Sequence, residues 1–249
     1  SFPPKRSPND SNTEISIKGP RDGFVESLQT NLALIRKRLP ITMLKIEQFT
    51  VGTDLPSTAA LLYLEGKAQP QVIDEARKRL KQIHNDALLG ASQLEEIISD
   101  HPLSLFPTVT YTGRPDFVVS CLLRGRFAIL VDNSPMAAIA PVNFAMLLRS
   151  PEDIYSPFFI AAGEMMLRFI GLVIALLLPG FWVALTAYNM EQLPFPLLAT
   201  LVESRIGLPL PGPLEALLML GLFELFRESG IRLPKAIGQT MAVVGGIVI

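Results

Sequence analysis

The sequence predicts a water-soluble α/β subdomain followed by an all-α, multi-pass membrane domain that is truncated. The first observation is the placement of charge: residues 1–150 hold 17 of the 22 Lys and Arg and 15 of the 23 Asp and Glu. The second is that residues 169–187 carry no charge; as a helix they would be about 28 Å long, close to the hydrocarbon thickness of a bilayer. The third is that the last helical pattern is still apolar where the chain ends, so we expect a fragment. We divide the chain into a linker over 1–12, an α/β subdomain over 13–150 and a membrane domain over 151–249.

The first 150 residues alternate between helix-like and strand-like patterns, which predicts an α/β layer domain. The turn Asp132-Asn133-Ser134-Pro135 separates the last two strands. In chain order, the predicted elements are a helix over 23–39 with Phe24, Leu28, Leu32, Ile35 and Leu39 on one face, strands over 45–51 and 59–64, a helix over 70–83 with Val72, Ala76, Leu80 and Ile83 facing the core, helices over 92–99 and 115–123, and strands over 127–131 and 137–140.

Three apolar segments follow in the membrane domain. The first predicts a helix over about 165–187, in which Pro179 favours a kink. The second predicts a broken or re-entrant helix over about 208–228, because prolines at 209, 211 and 213 interrupt its start. The third predicts the start of a further helix over 236–249. Basic residues follow the second segment, so the positive-inside rule places that turn and the N-terminal domain on the cytoplasmic side.

Composition and motifs exclude several classes of function. A net charge of −1 gives no electrostatic basis for binding nucleic acid. The single cysteine, Cys121, excludes an intramolecular disulfide and a cysteine zinc cage. His84 and His101 lack the spacing of a metal or catalytic pair, and the chain has no nucleophile elbow, dinucleotide fingerprint or Walker A loop. The sequence therefore predicts neither an enzyme nor a cofactor.

Four charged residues in the membrane domain are candidate functional groups. Glu215 and Glu224 lie in an apolar segment, where a carboxylate usually faces a bundle interior or water. The structural alternative for Glu224 is neutralisation by Arg227, three residues away. Glu164 and Arg168 have the four-residue spacing of an ion pair at the membrane interface, and a snorkelling anchor is the alternative.

Several motifs resemble the GerA-type spore germinant receptor A subunits. The likeness begins with Lys18-Gly19-Pro20-Arg21-Asp22-Gly23-Phe24 and Thr30-Asn31-Leu32 and continues through Arg114-Pro115-Asp116 and Leu123-Arg124-Gly125-Arg126-Phe127. It extends to Phe223-Glu224-Leu225-Phe226-Arg227-Glu228-Ser229-Gly230 in the second apolar segment. Two departures from the family pattern are Tyr188-Asn189-Met190-Glu191, which lacks a histidine, and Asn133, which replaces a turn glycine.

The resemblance implies a multi-pass protein of the spore inner membrane with a cytoplasmic N-terminal domain. It implies assembly with a transporter-like B subunit and a lipoprotein C subunit, membrane lipid around the helices, and a homo-oligomer that releases ions in response to nutrients. This chain would lack an N-terminal subdomain and later membrane helices. We expect the third segment to line a pore through Gln239, Thr240, Val244, Gly245 and Val248, because small and weakly polar residues recur there at helical spacing. Alternatives are an ion-coupled secondary transporter subunit, a scaffold for partner proteins, and a germination paralogue that amplifies ion release without sensing nutrient.

Overall fold

The structure is a computed structural model and describes residues 19–52, 56–83, 106–207 and 209–232. The chain forms two compact units, residues 1–166 and residues 167–249. The first unit is the α/β region together with the start of a long apolar helix, and the second is helical in its described part.

The first unit is built on a five-stranded sheet in which every described pairing is antiparallel. Its strands are β1 (Leu44–Val51), β2 (Ser57–Leu64), β3 (Thr110–Thr112), β4 (Phe127–Val131) and β5 (Ala137–Ala140), in the spatial order β1-β2-β4-β5-β3. The four strands predicted from the sequence are confirmed. The edge strand β3 was not predicted, because three residues are too few to show an alternating pattern.

Helices cover both faces of this sheet. Helices α1 (Leu28–Arg38) and α3 (Pro115–Leu123) pack on one face, and α2 (Pro70–Lys81) packs on the other. Strand β4 is buried along its whole length, with Ala128 and Leu130 facing α1 and α3 and with Ile129 facing α2. Central strands buried on both faces have continuous apolar sequences, which explains the run of five apolar residues in β4.

Helix α1 begins at Leu28, later than the predicted start at residue 23. The Leu28 amide donates to Asp132 Oδ1 at 3.0 Å, so a carboxylate from the β4–β5 turn accepts one of the free amides at this helix end. Asn133 in that turn has a φ of 64°, and its amide donates to the Glu26 carbonyl. The predicted turn is confirmed, and its asparagine adopts the left-handed backbone that this residue tolerates. Phe24, outside the helix, is still buried.

The predicted core faces are otherwise confirmed. Leu28, Leu32, Ile35 and Leu39 are buried beneath α1, and Ala76, Leu80 and Ile83 are buried beneath α2. The exception is Val72, which is only partly buried while Ile73 is buried instead. Two short helices that were not predicted follow β5: α4 (Phe144–Leu147) and the 3-10 helix Pro151–Tyr155. The helix predicted over 92–99 lies outside the described residues.

Helix α5 (Phe158–Tyr188) contains the predicted 165–187 segment and extends it at the N-terminal side. Pro179 lies inside it. Within the described part of the chain, α5 is one helix whose length and apolar composition suit a membrane crossing, and 6% of its most apolar window is buried. A core helix of a soluble protein would instead be mostly buried.

The described residues contain further helices after α5. No helix was predicted between the first and second apolar segments, but this stretch includes the 3-10 turn Met190–Gln192 and helix α6 (Phe195–Arg205). From Gly212 onward, the 208–228 segment forms one continuous helix, α7 (Gly212–Arg232), and its re-entrant path in a membrane stays a prediction. Two prolines precede α7 and Pro213 lies in its first turn, where the missing amide costs no helical hydrogen bond. The helix predicted over 236–249 lies outside the described residues.

Candidate functional site

A buried charge network lies at the N-terminal end of α3. Arg114 and Asp116 have side chains that are 3% and 6% exposed. The guanidinium donates twice to the carboxylate, from Nε to Oδ1 at 3.2 Å and from Nη2 to Oδ2 at 2.8 Å. The Tyr155 hydroxyl donates to the same Oδ2 at 2.8 Å. Pro115 provides the fixed φ of the first helical turn, so the Arg-Pro-Asp sequence positions both charges at the start of the helix.

This network is locked in one ionisation state at neutral pH. Burial alone would raise the pKa of Asp116, but the Arg114 guanidinium and the Tyr155 hydroxyl hold it below its usual value. Burial, followed by the bond to Asp116, raises the pKa of Tyr155 to about 12. The carboxylate is therefore ionised and the phenol is neutral, so the group suits structural attachment and not proton transfer.

Tyr155 brings the chain segment before α5 onto the sheet domain. It ends the 3-10 helix Pro151–Tyr155 and precedes Phe158, the first residue of α5. Its ring lies against Gly19, which has a φ of 103° and whose added Cβ would lie 2.5 Å from Tyr155 Cε2. Only glycine fits this contact. The glycine of the Gly19-Pro20 motif, the Arg114-Pro115-Asp116 motif and the segment entering α5 therefore meet at one place.

The charged residues predicted as membrane sites lie on two helices, α5 and α7. Glu164 and Arg168 lie half-buried on α5 with helical four-residue spacing. Glu215 lies in the first turn of α7. Glu224 forms an exposed ion pair with Arg227, so the structural alternative for Glu224 is confirmed. The predicted pore-lining residues Gln239, Thr240, Val244, Gly245 and Val248 lie outside the described residues.

The second unit has a polar contact that the sequence did not predict. Arg205, at the end of α6, donates from Nη2 to Thr186 Oγ1 at 3.4 Å, and Thr186 is 2% exposed near the end of α5. The Arg205 guanidinium also lies directly against Gly212, the first residue of α7. Arg205 therefore contacts the ends of α5, α6 and α7. Because no helix was predicted around Arg205, its contact with α5 could not be predicted.

A shallow groove of about 280 Å³ lies between α2 and the ends of the strands. Its wall includes Val72, Ala76 and Phe127, and its two charged residues, Glu75 and Arg79, pair with each other at 2.9 Å. Burial raises the pKa of the Cys121 thiol to about 11, so it is a poor nucleophile. Within the described residues, no group of three His, Cys, Asp or Glu side chains is placed to hold a metal ion.

Comparison with known proteins gives a consistent set of similarities. The sequence model of the Bacillus/Clostridium GerA spore germination protein family matches residues 2–249. The chain is 47% identical to spore germination protein XA of Bacillus anthracis over 99% of this chain and 50% of that protein. It is 41% identical to spore germination protein A1 of Bacillus subtilis over 98% of this chain and 51% of that protein. The chain therefore spans about half the length of the curated relatives it matches.

One solved structure is also similar. It is the crystal structure of the N-terminal domain of the A subunit of the Bacillus megaterium spore germinant receptor GerK3. The two sequences are 39% identical, and the match covers 49% of this chain and 97% of that chain with a TM-score of 0.41.

Proposed function

The chain belongs to the GerA family of spore germination proteins, and we propose that it is part of the membrane subunit of a nutrient-responsive spore germination receptor. The observation that carries this proposal is the match of one family over residues 2–249, which includes both the α/β unit and the apolar helices. The chain would act without catalysis or a cofactor, as one component of a receptor that releases ions.

Location in a membrane is supported by α5. Its 31 residues give a length of about 46 Å, more than the roughly 30 Å of bilayer hydrocarbon. Large apolar side chains such as Leu176 and Phe181 are exposed on it, at 74% and 60%. Exposed apolar surface of this extent is stable in lipid and not in water. We place the protein in the spore inner membrane as a multi-pass protein, with the α/β unit on the cytoplasmic side.

Coupling between the α/β unit and the membrane would pass through the chain segment held by Tyr155. Since Tyr155 is bonded to buried Asp116 and lies three residues before α5, movement of α3 would act on the start of that helix. Nutrient recognition by a transporter-like B subunit, with a lipoprotein C subunit, would then shift a homo-oligomeric bundle between closed and open states.

The direct test is potassium release from liposomes that contain the full-length protein and its two partner subunits. Nutrient-dependent release is the expected result. The pore prediction is tested by Val244→Ala, with Ile249→Ala as the control, because at about 100° per residue position 249 lies outside the arc of the predicted lining residues on a helix. Val244→Ala is expected to change ion release and Ile249→Ala to leave it unchanged.

Three results would contradict this proposal. Release without nutrient favours the amplifying paralogue, and uptake against a gradient favours the ion-coupled transporter. Lost assembly with intact conductance favours a scaffold. If Val244 and Gly245 substitutions leave conductance, nutrient dependence and assembly unchanged, the third segment does not line a pore.

A further inference from the structure

Four basic residues surround the C-terminal end of α3. Lys67 donates from Nζ to the Leu123 carbonyl at 3.2 Å, and Arg126 donates from Nη2 to Asn143 Oδ1 at 3.2 Å. Arg124 follows the last residue of α3 and is exposed. Arg149 is also exposed and follows α4, where its amide donates to the carbonyl of Met146, which packs in the same buried cluster as Cys121 and Leu122 of α3.

Exposed apolar side chains lie beside these charges. Leu123 is 43% exposed at the end of α3, and Phe144 and Leu147 are 40% and 37% exposed on the short helix α4. Phe106 packs edge-to-face on Phe144 with ring centroids 5.7 Å apart. Arg126 connects the basic residues to the apolar side chains of α4. It donates to Asn143, whose side chain caps α4 by accepting from the Met146 amide. We call these basic and apolar side chains together the α3–α4 surface.

The chain itself connects this surface to the proposed membrane helix. From Arg149, which follows α4, the chain proceeds to Tyr155, which is bonded to Asp116 at the N-terminal end of α3. Helix α3 has nine residues and is about 13 Å long. The α3–α4 surface is therefore within about two turns of helix of the point at which the chain leaves for Phe158.

The acidic residues closest along the chain are bonded elsewhere. Glu65, two residues from Lys67, pairs with Lys45 at 3.0 Å. Asp153 accepts from the Ser150 amide at 3.0 Å, and Glu152 accepts from the Ser150 hydroxyl at 3.3 Å. Glu152 Oε1 also lies 3.9 Å from Arg114 Nη1, so Glu65 and Glu152 both have basic partners outside the α3–α4 surface.

We propose that the α3–α4 surface docks on the anionic headgroups of the bilayer that α5 enters. The arginines and the lysine would bind lipid phosphate, and Leu123, Phe144 and Leu147 would insert at headgroup depth, which is the side-chain combination that interfacial surfaces use. Docking would hold the α/β unit against the membrane and fix the direction in which its coupling segment enters α5. This inference rests on the membrane location in the proposed function.

The test uses the full-length protein in nanodiscs, with a fluorescent label on A145C in α4 and with other reactive cysteines removed. Ala145 is exposed between the two apolar side chains of α4, whereas Cys121 is buried and will not take the label. Nitroxide-headgroup lipid is expected to quench the label in discs with about one-third phosphatidylglycerol, and much less in pure phosphatidylcholine. Salt at about 1 M, which shortens the Debye length to about 3 Å, is expected to reduce the quenching.

R124E/R149E is the test variant, and R36E/K37E, at the exposed end of α1, is its control because it makes the same change of charge. Each basic group near an anionic surface contributes a factor of about five in affinity. We therefore expect at least a tenfold fall in the docked-to-undocked ratio for R124E/R149E and no change for R36E/K37E. The milder variant R124Q/R149Q is expected to have a docked-to-undocked ratio between those of R124E/R149E and R36E/K37E.

Equal quenching in neutral and anionic discs, or equal quenching in wild type and R124E/R149E, would overturn the docking proposal. A loss of quenching in R36E/K37E without a loss in R124E/R149E would also overturn it. A second label on L176C in α5 tests the membrane location separately, through quenching by acyl-chain nitroxide lipid. If the label on α5 is quenched and the label on α4 is not, docking fails while the proposed membrane function stands.

Discussion

Asp116→Asn is expected to weaken the attachment between α3 and the segment that precedes α5. The replacement keeps the size and one acceptor of the side chain but removes the charge that pairs with buried Arg114. Breaking a buried ion pair from one side costs about 3–5 kcal/mol. Because asparagine still accepts a hydrogen bond, we expect the lower end, about 3 kcal/mol. Tyr155→Phe removes one bond from a residue that is 41% exposed, so water replaces part of it and we expect about 1 kcal/mol.

The assay is hydrogen exchange of the α3 amides, measured by mass spectrometry on the full-length protein in detergent. A loss of about 3 kcal/mol corresponds to roughly a hundredfold faster exchange for Asp116→Asn. Tyr155→Phe is expected to give about a fivefold change. Tyr155 donates to the same Asp116 oxygen that accepts from Arg114, so Asp116→Asn already weakens the bond that Tyr155→Phe removes. The double variant is therefore expected to be less destabilised than the two single effects combined.

The lowered pKa of Asp116 predicts how the effect of Asp116→Asn on stability depends on pH. Since the pKa of Asp116 is lowered in the fold, its contribution is present above the unfolded pKa of about 4 and is lost as the pH falls through the folded pKa. Wild type and Asp116→Asn should therefore differ at pH 7 and converge in acid. A change below threefold in α3 exchange at pH 7, or a difference that grows in acid, would refute the role assigned to the Arg114–Asp116 pair.

Three further predictions concern the first unit. Gly125→Ala is expected to lower the free energy of unfolding by about 3 kcal/mol, because φ is 81° and the added Cβ would lie 2.6 Å from the Lys67 carbonyl oxygen. Gly66→Ala is the control and is expected to cost about 1 kcal/mol, because φ is similar but the nearest contact of the added Cβ is at 3.6 Å. Asn31→Ala is expected to cost about 3 kcal/mol, because the fully buried amide satisfies one backbone N–H and one carbonyl. Hydrogen-exchange protection of the sheet amides measures both losses of stability, and a loss under about 0.5 kcal/mol would contradict either prediction. Cys121 is expected to react with maleimide at pH 8 about a hundredfold more slowly in the native protein than in urea, and equal rates would contradict its burial.

The elements that could be predicted from the sequence are those whose burial is visible in a short window. Strands β4 and β5 are apolar throughout because both faces of the sheet are covered, and the turn between them has residues that favour tight turns. The buried face of α1 could be predicted from the spacing of its apolar residues, but the residue at which the helix begins could not. Leu28 becomes the first helical residue because Asp132, more than 100 residues later in the chain, accepts its amide. Local periodicity contains no information about such a contact.

The candidate site was beyond prediction for the same reason. Arg114 and Asp116 are adjacent to a proline in a short motif, and that motif alone indicates a helix start. Its partner Tyr155 is 39 residues away from Asp116, in the part of the chain that was assigned to the membrane domain. Only the packed fold shows that the tyrosine ring lies on Gly19 and that its hydroxyl reaches the carboxylate.

The start of the second apolar segment shows how the position of a proline matters. Pro209 and Pro211 precede α7, and Pro213 lies in its first turn, where a proline is favourable because its missing amide has no partner. Helix α7 is therefore one uninterrupted helix of 21 residues, about 32 Å long. The Glu224–Arg227 pair lies on this helix, and pairing lowers the free energy required to place both charges in a membrane. Glu215, for which the described residues show no such ion pair, is thus the better remaining candidate for a polar group that faces an ion pathway.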